Sequence, residues 1–388
     1  MSKFNNLAVI IPTRNRSELA INAINSILEQ IEDDIYIIIS DNSTEDSHLK
    51  KLQDFCKDKS HANLVYIRPT ESLPMTKHWD WAVKSILNNA DLANISHFLW
   101  IADRNVLVKG AVSQLKNMIT KHPDDLIHCD TYCIYDFTTP VKIWVQKDFS
   151  RKIIPIKSKD VLHEVYNDVK LPKHGVPITL YSVIPRDVFE NLKKKYENVF
   201  DSTGPDTCFA FRFLAQYEKY LFYDGPVLII YNHSLSNCQA YTIGVTNKTA
   251  SDFSSFFGES IYPDSPLPEI QISANVLIND YCFVAKETKS EKFKEININN
   301  YLHYLFEHIK SIQNEELKEY YLNILKEKGY KPKPKDKGIK KFINKEIPRI
   351  QRKIKKLFAQ LSGRAKYYKE ISFADSMEAI KYINDNLV

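Results

Sequence analysis

The residues best suited to chemistry follow two apolar runs near the start of the chain. The first run leads into Pro12 and Thr13, and the second, which begins at Ile35, leads into Asp41 and Asn42. Such runs are typical of strands buried on both faces of a parallel sheet, and open α/β sheets bind ligands at the carboxyl ends of their strands. A carboxylate there can accept hydrogen bonds from a base N–H or from ribose hydroxyls. The two strand ends together predict a nucleoside pocket.

The elements that must position these residues alternate between strand and helix. Apolar periodicity predicts strands at 7–12, 35–40, 64–68 and 97–102, and helices from residue 17 and near 45–58, 77–89 and 109–121. Farther along it predicts strands within 126–156, at 178–184 and within 220–231, and helices from about residue 185 and over 206–219. Strands that alternate with helices predict an α/β fold with a mostly parallel, doubly wound sheet.

The chain beyond residue 250 has a different character. Residues 251–299 are expected to be irregular, and residues 300–328 to form a long helix or a helical hairpin. A stretch rich in Lys and Pro at 331–338 is typical of an extended linker, and an amphipathic basic helix is expected after it. We therefore predict three parts, at residues 1–250, 251–330 and 331–388.

The basic residues are concentrated in that last part. Residues 331–370 hold fifteen Lys or Arg and three acids, whereas the whole chain has a net charge of only +5, so the rest is net negative. This distribution argues against nucleic-acid binding by the α/β part. A basic helix with an apolar stripe can lie on an anionic membrane surface, and the alternative is that the stripe packs against the protein itself.

Composition limits the class of protein. The chain has 388 residues, of which 44% are hydrophobic and 12% aromatic, as expected for a folded globular protein. No apolar run approaches the roughly 20 residues that cross a bilayer, and the first strand begins too early to follow a secretory signal. The six cysteines lack the paired spacing of a metal site, so reduced thiols in a cytoplasmic protein are expected.

Five segments together resemble the family 2 glycosyltransferases, which have the GT-A fold. They are residues 9–16 (VIIPTRNR), 40–44 (SDNST), 73–82 (LPMTKHWDWA), 98–110 (FLWIADRNVLVKG) and 200–214 (FDSTGPDTCFAFRFL). The resemblance covers about residues 5–240. It implies a GT-A sheet flanked by helices, with the remaining chain as a C-terminal helical extension.

The resemblance also implies which residues bind a nucleotide-sugar donor. By their places in the motifs, the expected donor-binding residues are Pro12, Thr13, Arg14, Asn15, Arg16, Asp41, Asn42, Lys77, Asp103 and Arg104. Asp41 stands where the family's acid contacts the base or ribose, and Lys77 could reach the phosphates. A UDP-sugar is the default donor, and guanosine and thymidine remain open.

The fourth segment departs from the family's pattern at its metal site. Relatives carry Asp-x-Asp, which binds a divalent metal under the sugar diphosphate, but this chain reads Asp103-Arg104-Asn105. The amide of Asn105 offers oxygen without charge, whereas hard cations favour carboxylates, and the guanidinium of Arg104 can pair with phosphate. Either Mn²⁺ or Mg²⁺ is held weakly by Asp103, Asn105 and His233, or Arg104 partly replaces the metal.

The fifth segment implies a general base. By the match, Asp206 would take the proton from an acceptor hydroxyl as that oxygen attacks the anomeric carbon, and the alternative is that Asp206 only caps a helix. Pro205, in place of the family's Glu, suits the first turn of a helix. His174 and Gly175 are expected on the acceptor side.

These inferences lead to two hypotheses. The first is an inverting glycosyltransferase with a glycan acceptor, expected to be lipid-linked, in cell-surface polysaccharide assembly such as capsule or O-antigen, on the cytoplasmic face of the cell membrane. The second is a non-catalytic sugar-nucleotide-binding or scaffold protein with a decayed metal site. A sugar-1-phosphate nucleotidyltransferase or a dinucleotide-dependent oxidoreductase is disfavoured, because the first fifty residues contain no glycine for a phosphate loop.

Overall fold

The structure is a computed structural model, which describes residues 6–30, 35–59, 63–136, 139–146, 149–231, 260–331 and 368–388. Its strands are β1 (Asn6–Thr13), β2 (Ile35–Asp41), β3 (Leu64–Ile67), β4 (Ile95–Trp100), β5 (Asn105–Leu107), β6 (Ile127–Tyr135), β7 (Val141–Gln146), β8 (Ile153–Lys157), β9 (Ser182–Pro185), β10 (Lys219–Ile230) and β11 (Tyr368–Phe373). Its α-helices are α1 (Ser17–Leu28), α2 (Asp46–Asp58), α3 (Met75–Asn88), α4 (Ala111–Lys121), α5 (Ser158–His163), α6 (Arg186–Tyr196), α7 (Pro205–Gln216), α8 (Asn275–Thr288), α9 (Ile298–Ile309), α10 (Glu315–Glu327) and α11 (Ser376–Asn386).

The first four strands form the parallel part of the sheet, in the order β3-β2-β1-β4. The apolar residues of β1 are almost fully buried, and alternate positions face opposite sides of the sheet. Ala8 and Ile10 belong to one hydrophobic core, while Leu7, Val9 and Ile11 belong to the other. A strand covered on both faces needs apolar side chains at every position, which is why this run has no polar alternation.

The rest of the sheet is mixed. Strand β9 lies antiparallel between β4 and β6, and β7 and β11 extend the sheet beyond β6. Strand β10 runs parallel to β6 and antiparallel to β5 and β8. The expected α/β fold of the GT-A type, with a C-terminal helical extension, is confirmed, and its parallel character is confined to the first four strands and the β6–β10 pair.

Helices cover both faces of the sheet. The core on one face includes apolar side chains of α3, α6, α7, α8, α9 and α10, and the core on the other includes those of α1, α4 and α11. Among the described helices, none is both long enough and apolar enough to cross a membrane. The sheet therefore lies between two layers of helices.

The chain beyond residue 250 differs from expectation in one described region. The stretch 251–299 was expected to be irregular, but residues 275–288 form α8, because Leu277, Ile278, Tyr281 and Val284 bury one apolar face. The alternative of a helical hairpin is the one observed over 300–328, as α9 and α10.

The end of the chain returns to the sheet. Strand β11 pairs with β7, and α11 buries Ala379 and Ile383 in the same core as α1 and α4. Most of the basic stretch 331–370 lies outside the described residues, so the expected linker, amphipathic helix and membrane contact remain predictions.

Candidate active site

Asp103 lies just after β4, beside the end of β1. The hydroxyl of Thr13 donates a hydrogen bond to Asp103 Oδ2 over 3.0 Å, and Arg16 Nη1 lies 3.5 Å from Asp103 Oδ1. The carboxylate of Asp103 is almost fully buried. The parallel pairing of β1 with β4 brings these residues together at one edge of the sheet, as expected from their positions after apolar runs.

Asp41 lies at the end of β2, opposite Thr13 in the register of β1 and β2. Its side chain accepts hydrogen bonds from the backbone N–H of Ser43 over 2.8 Å and from the hydroxyl of Tyr66 over 2.8 Å. Burial and the contact with Asp41 raise the pKa of Tyr66, so this hydroxyl remains a donor. An ionised carboxylate has about four acceptor positions, so acceptor positions remain at Asp41 after these two bonds, and the residue is fully buried. Tyr66 was not predicted as a site residue.

Two asparagines that were expected to bind the donor hold loops together. Asn42 donates to the carbonyl of Leu73 over 2.7 Å and accepts from the N–H of Leu73 over 3.0 Å. Asn15, at a left-handed φ of 55°, accepts at Oδ1 from the N–H groups of Thr44 and Glu45. Both amides therefore join the loop after one strand to a neighbouring loop, and their roles toward a donor remain predictions.

The remaining expected donor residues lie around His78. Pro12 pairs with Ser40 between β1 and β2, and Ser40 Oγ lies 2.8 Å from His78 Nε2. Burial and, to a smaller extent, the positive charge of Arg14 lower the pKa of His78 to about 3, so the imidazole is neutral. Lys77 is exposed in the first turn of α3.

Tyr181 lies beside the end of β4. Its backbone N–H donates to the carbonyl of Trp100 over 3.2 Å. Burial raises the pKa of Tyr181, the guanidinium of Arg104 opposes that rise, and the carboxylate of Asp206 adds to it. Both charges therefore act on one hydroxyl. Within the described part of the chain, Arg104 Nη1 is buried and has no hydrogen-bond partner.

The expected metal ligands do not form a complete site among the described residues. Asp103 is the only carboxylate of the set, and its two oxygens already meet Thr13 and Arg16. Asn105 is fully buried against the hydroxyl of Tyr181, without a well-formed hydrogen bond. His233 lies outside the described residues, and no group of three or more metal-binding side chains occurs in the described part. A nearby guanidinium disfavours a cation, so we derive no step through a metal.

Asp206 lies in the first turn of α7, after Gly204 and Pro205. Its carboxylate is half-buried and accepts the N–H of Thr207 over 3.0 Å. Burial raises the pKa of Asp206, and the N–H groups of Thr207 and of Asp206 itself oppose that rise. A carboxylate whose pKa is raised is a better proton acceptor near neutral pH than an ordinary one.

The segment that leads into α7, residues 198–207, is held by helix α3. Asp80 accepts the N–H of Val199 over 2.7 Å and pairs with Lys84 at 2.7 Å. Lys84 also donates to Asn198 over 2.7 Å. Thr76, one turn earlier in α3, donates to the carbonyl of Ser202 over 3.1 Å. We call residues 198–207 the Asp206 segment.

Arg212 holds the same segment from the other side. Its guanidinium is fully buried and meets both carboxylate oxygens of Glu287, at 2.8 and 2.6 Å. It also pairs with Asp201 at 2.9 Å and donates to the carbonyls of Asn198 and Val199. Arg212, six residues after Asp206, is therefore a structural clamp between α7 and α8.

The two residues expected on the acceptor side pack against the start of β10. The ring of His174 lies 4.8 Å from that of Phe222, and the carbonyl of Gly175 accepts the hydroxyl of Tyr220 over 2.9 Å. Gly175 has a positive φ of 68° and packs against His128. These contacts do not reach Asp206, and the acceptor-side role remains a prediction.

Asp280 is a buried acid of this region that sequence reasoning missed. It lies in α8, in the stretch expected to be irregular, and its side chain bonds to residues on both sides of Asp206. No local pattern marks it, because the contact joins residues more than seventy positions apart. If residues 275–288 had been interpreted as a helix, the position of Asp280 among apolar residues would have indicated a buried acid.

The described geometry can be compared with known proteins. Residues 8–192 match the family described as "Glycosyl transferase family 2". This match supports a glycosyltransferase. It spans slightly less than half of the chain, and it includes Asp41 and Asp103 but ends before Asp206. Comparison with curated proteins finds no match.

Solved structures of S. aureus TarS are similar to the chain. The structure of TarS 1-349 is 14% identical, with a TM-score of 0.43, and the alignment covers 80% of this chain and 82% of that one. The structure of TarS 1-349 in complex with UDP-GlcNAc has the same values. A further TarS structure has a TM-score of 0.42 at 14% identity, with 80% of this chain and 50% of that one covered.

Proposed function

We propose that this chain is an inverting glycosyltransferase, which moves a sugar from a nucleotide-sugar donor to a glycan acceptor. The observation that carries the proposal is that Thr13, Arg16 and Asp103 meet at the carboxyl edge of the parallel strands, where Asp103 accepts a hydrogen bond from Thr13 and lies 3.5 Å from Arg16. Arg104 follows Asp103 in the chain and has a buried guanidinium nitrogen without a partner among the described residues, and Asp206 is a half-buried carboxylate at the start of α7. Those are the two charges that such a transfer needs, one for the leaving diphosphate and one for the acceptor's proton.

We propose that Asp41 recognises the base of the nucleoside by accepting a hydrogen bond from it. Uracil carries a ring N–H that a carboxylate can accept, and Asp41 keeps acceptor capacity beside Tyr66. UDP-sugars are therefore the first donors to test. Guanine and thymine also carry a ring N–H, so GDP- and dTDP-sugars belong in the same panel.

The proposed reaction is one displacement. An acceptor hydroxyl gives its proton to the carboxylate of Asp206, and its oxygen forms a bond to the anomeric carbon. The bond from that carbon to the diphosphate oxygen breaks, and the electron pair leaves with the nucleoside diphosphate. Because attack comes from the face opposite the leaving group, the anomeric configuration inverts.

The charge on the leaving diphosphate is the proposed target of guanidinium groups. Arg104 has a buried nitrogen without a partner in the described part of the chain, and guanidinium pairs with phosphate in a bidentate way. Arg16 lies close by, beside Asp103. These residues support the alternative in which Arg104 takes over part of the metal's role.

The proposed setting is the cytoplasmic face of the cell membrane. The segment 331–370, with fifteen basic residues against three acids, suits an anionic lipid surface. A lipid-linked glycan of a capsule or O-antigen type would be concentrated on that surface. His174 and Gly175 are the proposed acceptor-side residues.

The test is the variant Asp206→Asn, which keeps the shape of the side chain and removes its basicity. We expect the transfer rate to fall by roughly 10²- to 10⁴-fold, while calorimetric titration with UDP, GDP and dTDP gives unchanged affinities. Asp187→Asn is the matched control, because Asp187 is an exposed acid in the first turn of α6. Titrations with and without Mn²⁺ or Mg²⁺ examine the metal at the same time.

Three outcomes would contradict parts of the proposal. Full activity of Asp206→Asn would remove this residue from the role of base. Nucleotide binding without turnover by the wild-type protein would favour the non-catalytic alternative. Absence of binding to every nucleotide would contradict both hypotheses.

A further inference from the structure

The C-terminal extension reaches the Asp206 segment through one buried acid. Asp280 in α8 is fully buried. It accepts hydrogen bonds from Ser202 over 2.7 Å, from Asn279 over 3.0 Å and from the hydroxyl of Thr207. Ser202 and Thr207 lie on either side of Asp206 in the chain. One carboxylate therefore ties both ends of the turn that carries Asp206.

A buried carboxylate is costly unless its oxygens are hydrogen-bonded. The three donors offset that cost at Asp280. The carboxylate also lies at the amino end of α7, where the helix dipole favours negative charge. The residue that precedes α7, Gly204, has no side chain that could cap the helix. The C-terminal extension therefore supplies the acidic partner of this helix end.

The backbone of the turn is pressed closely against α8. A Cβ added at Gly204 would lie 2.6 Å from Asp280 Oδ2 and 2.8 Å from Val276 Cγ2, so only glycine fits. Ser202 adopts a left-handed φ of 60°, which a side-chain-bearing residue rarely does. Asn279 donates to Ser202 Oγ over 3.0 Å and accepts the N–H of Asp264 over 2.9 Å. The turn has an uncommon shape that α8 holds in place.

We propose that Asp280 is a positioning residue, which acts through Ser202 and Thr207 to hold the carboxylate of Asp206 in its working orientation. The proposal rests on the proposed function, because it assigns Asp206 the role of base. It also implies that the extension is part of the catalytic unit, although this region lies outside the family match at residues 8–192.

The electrostatics of the pair agree with this role. Burial and, to a smaller extent, the carboxylate of Asp206 raise the pKa of Asp280 to about 7, against the opposing hydrogen bonds from Ser202, Thr207 and Asn279. Two neighbouring carboxylates disfavour each other's ionised form. A negative Asp280 would therefore help Asp206 to accept a proton.

The test compares three variants with the wild-type chain. Asp280→Asn removes the charge and one acceptor, and Thr207→Val removes one hydroxyl while Asp280 stays in place, in case the first variant does not fold. Asp264→Asn is the control in the same extension, since its carboxylate pairs only with Lys286 among the contacts described for it. The first measurement is amide hydrogen exchange of the peptide 200–208, which requires no activity. The second is kcat and donor KM with the full chain.

We expect exchange in that peptide to rise by at least about 10-fold in Asp280→Asn and Thr207→Val. Exchange in the peptide that contains Asp41 should stay unchanged. We also expect kcat to fall by roughly 10- to 100-fold at unchanged donor KM, because small misplacements of a catalytic group are costly. Asp264→Asn should match the wild type in both measurements.

Two results would overturn the proposal. Exchange within 2-fold of wild type in both variants would show that Asp280 does not hold the turn. A parallel change of kcat and donor KM, or faster exchange at Asp41 as well, would show general loosening of the protein. A wild-type chain without transfer activity would instead overturn the proposed function, and the exchange data would still decide whether Asp280 positions the turn.

Discussion

The carboxyl edge of the parallel strands and the Asp206 segment are built in different ways. At the edge, contacts join the ends of adjacent strands, such as Thr13 with Asp103 and Asp41 with Tyr66. The Asp206 segment instead depends on three helices that approach it from different parts of the chain. Its partners range from Thr76 in α3 to Asp280 in α8.

This difference shows where each half of a catalytic site obtains its geometry. Strand register alone places the residues that follow β1, β2 and β4, because parallel strands end at a common edge. A turn before a helix has no neighbouring strands that fix its position, so its shape depends on contacts with other parts of the fold. Substitutions far from the Asp206 segment should therefore disturb it more than equally distant substitutions disturb the strand ends.

The strongest test of the comparison is Arg212→Met, which removes the clamp between α7 and α8. The free energy of unfolding should fall by about 3 kcal/mol, near the low end for breaking a buried ion pair, since the carboxylates of Asp201 and Glu287 keep 28% exposure. Denaturant unfolding measures this change. Lys51→Met is the control, because Lys51 and Glu18 form an exposed pair worth little. A loss below about 1 kcal/mol for Arg212→Met would contradict the clamp.

A second test addresses the strand ends with Asp41→Asn. Hydrogen bonds to a charged group contribute about 1.5–3 kcal/mol, so the dissociation constant for UDP should rise roughly 10- to 100-fold. Calorimetric titration measures this, with Asp46→Asn, an exposed acid at the start of α2, as the control. If kcat fell while nucleotide affinity stayed the same, the assignment of Asp41 to the donor would be wrong.

The smallest expected effect concerns the buried imidazole behind the strand ends. The pKa of His78 is about 3 in the folded protein because of burial, against an ordinary value of 6.5. The unfolded chain therefore binds a proton below pH 6.5 that the folded chain refuses until about pH 3, and stability is lost as the pH falls through this window. In His78→Gln, the slope of unfolding free energy against pH should be shallower by about 1 kcal/mol per unit between pH 6 and 4. Equal slopes for both proteins would show that His78 is not held neutral.

Much of the strand-end region was predictable. The expected strands at 7–12 and 35–40 correspond to Asn6–Thr13 and Ile35–Asp41, and the strand at 97–102 to Ile95–Trp100. Each run is mostly apolar and is followed by polar residues, so the pattern identifies both the strand and the point where it ends. The position of Asp206 at the start of a helix was predicted in the same way, from Pro205.

The partners of these residues were not predictable. Tyr66 lies in an expected strand, but only the pairing of β2 with β3 brings its hydroxyl to Asp41. Asp280 lies in a stretch that was expected to be irregular. Arg212 shares the segment 200–214 with one carboxylate partner, Asp201, but its other partner, Glu287, comes from α8.

The apolar runs, each followed by polar residues, were enough to predict the α/β sheet and the residues that lie at the carboxyl ends of its strands. This information lies within each strand's own sequence, because a strand buried on both faces is a nearly continuous run of apolar residues. How Asp206 is held, and by which distant helix, came only with the folded chain. Hydrogen bonds between residues seventy or more positions apart produce no periodic pattern in the sequence. Only the tertiary structure therefore showed that α8 contacts the Asp206 segment.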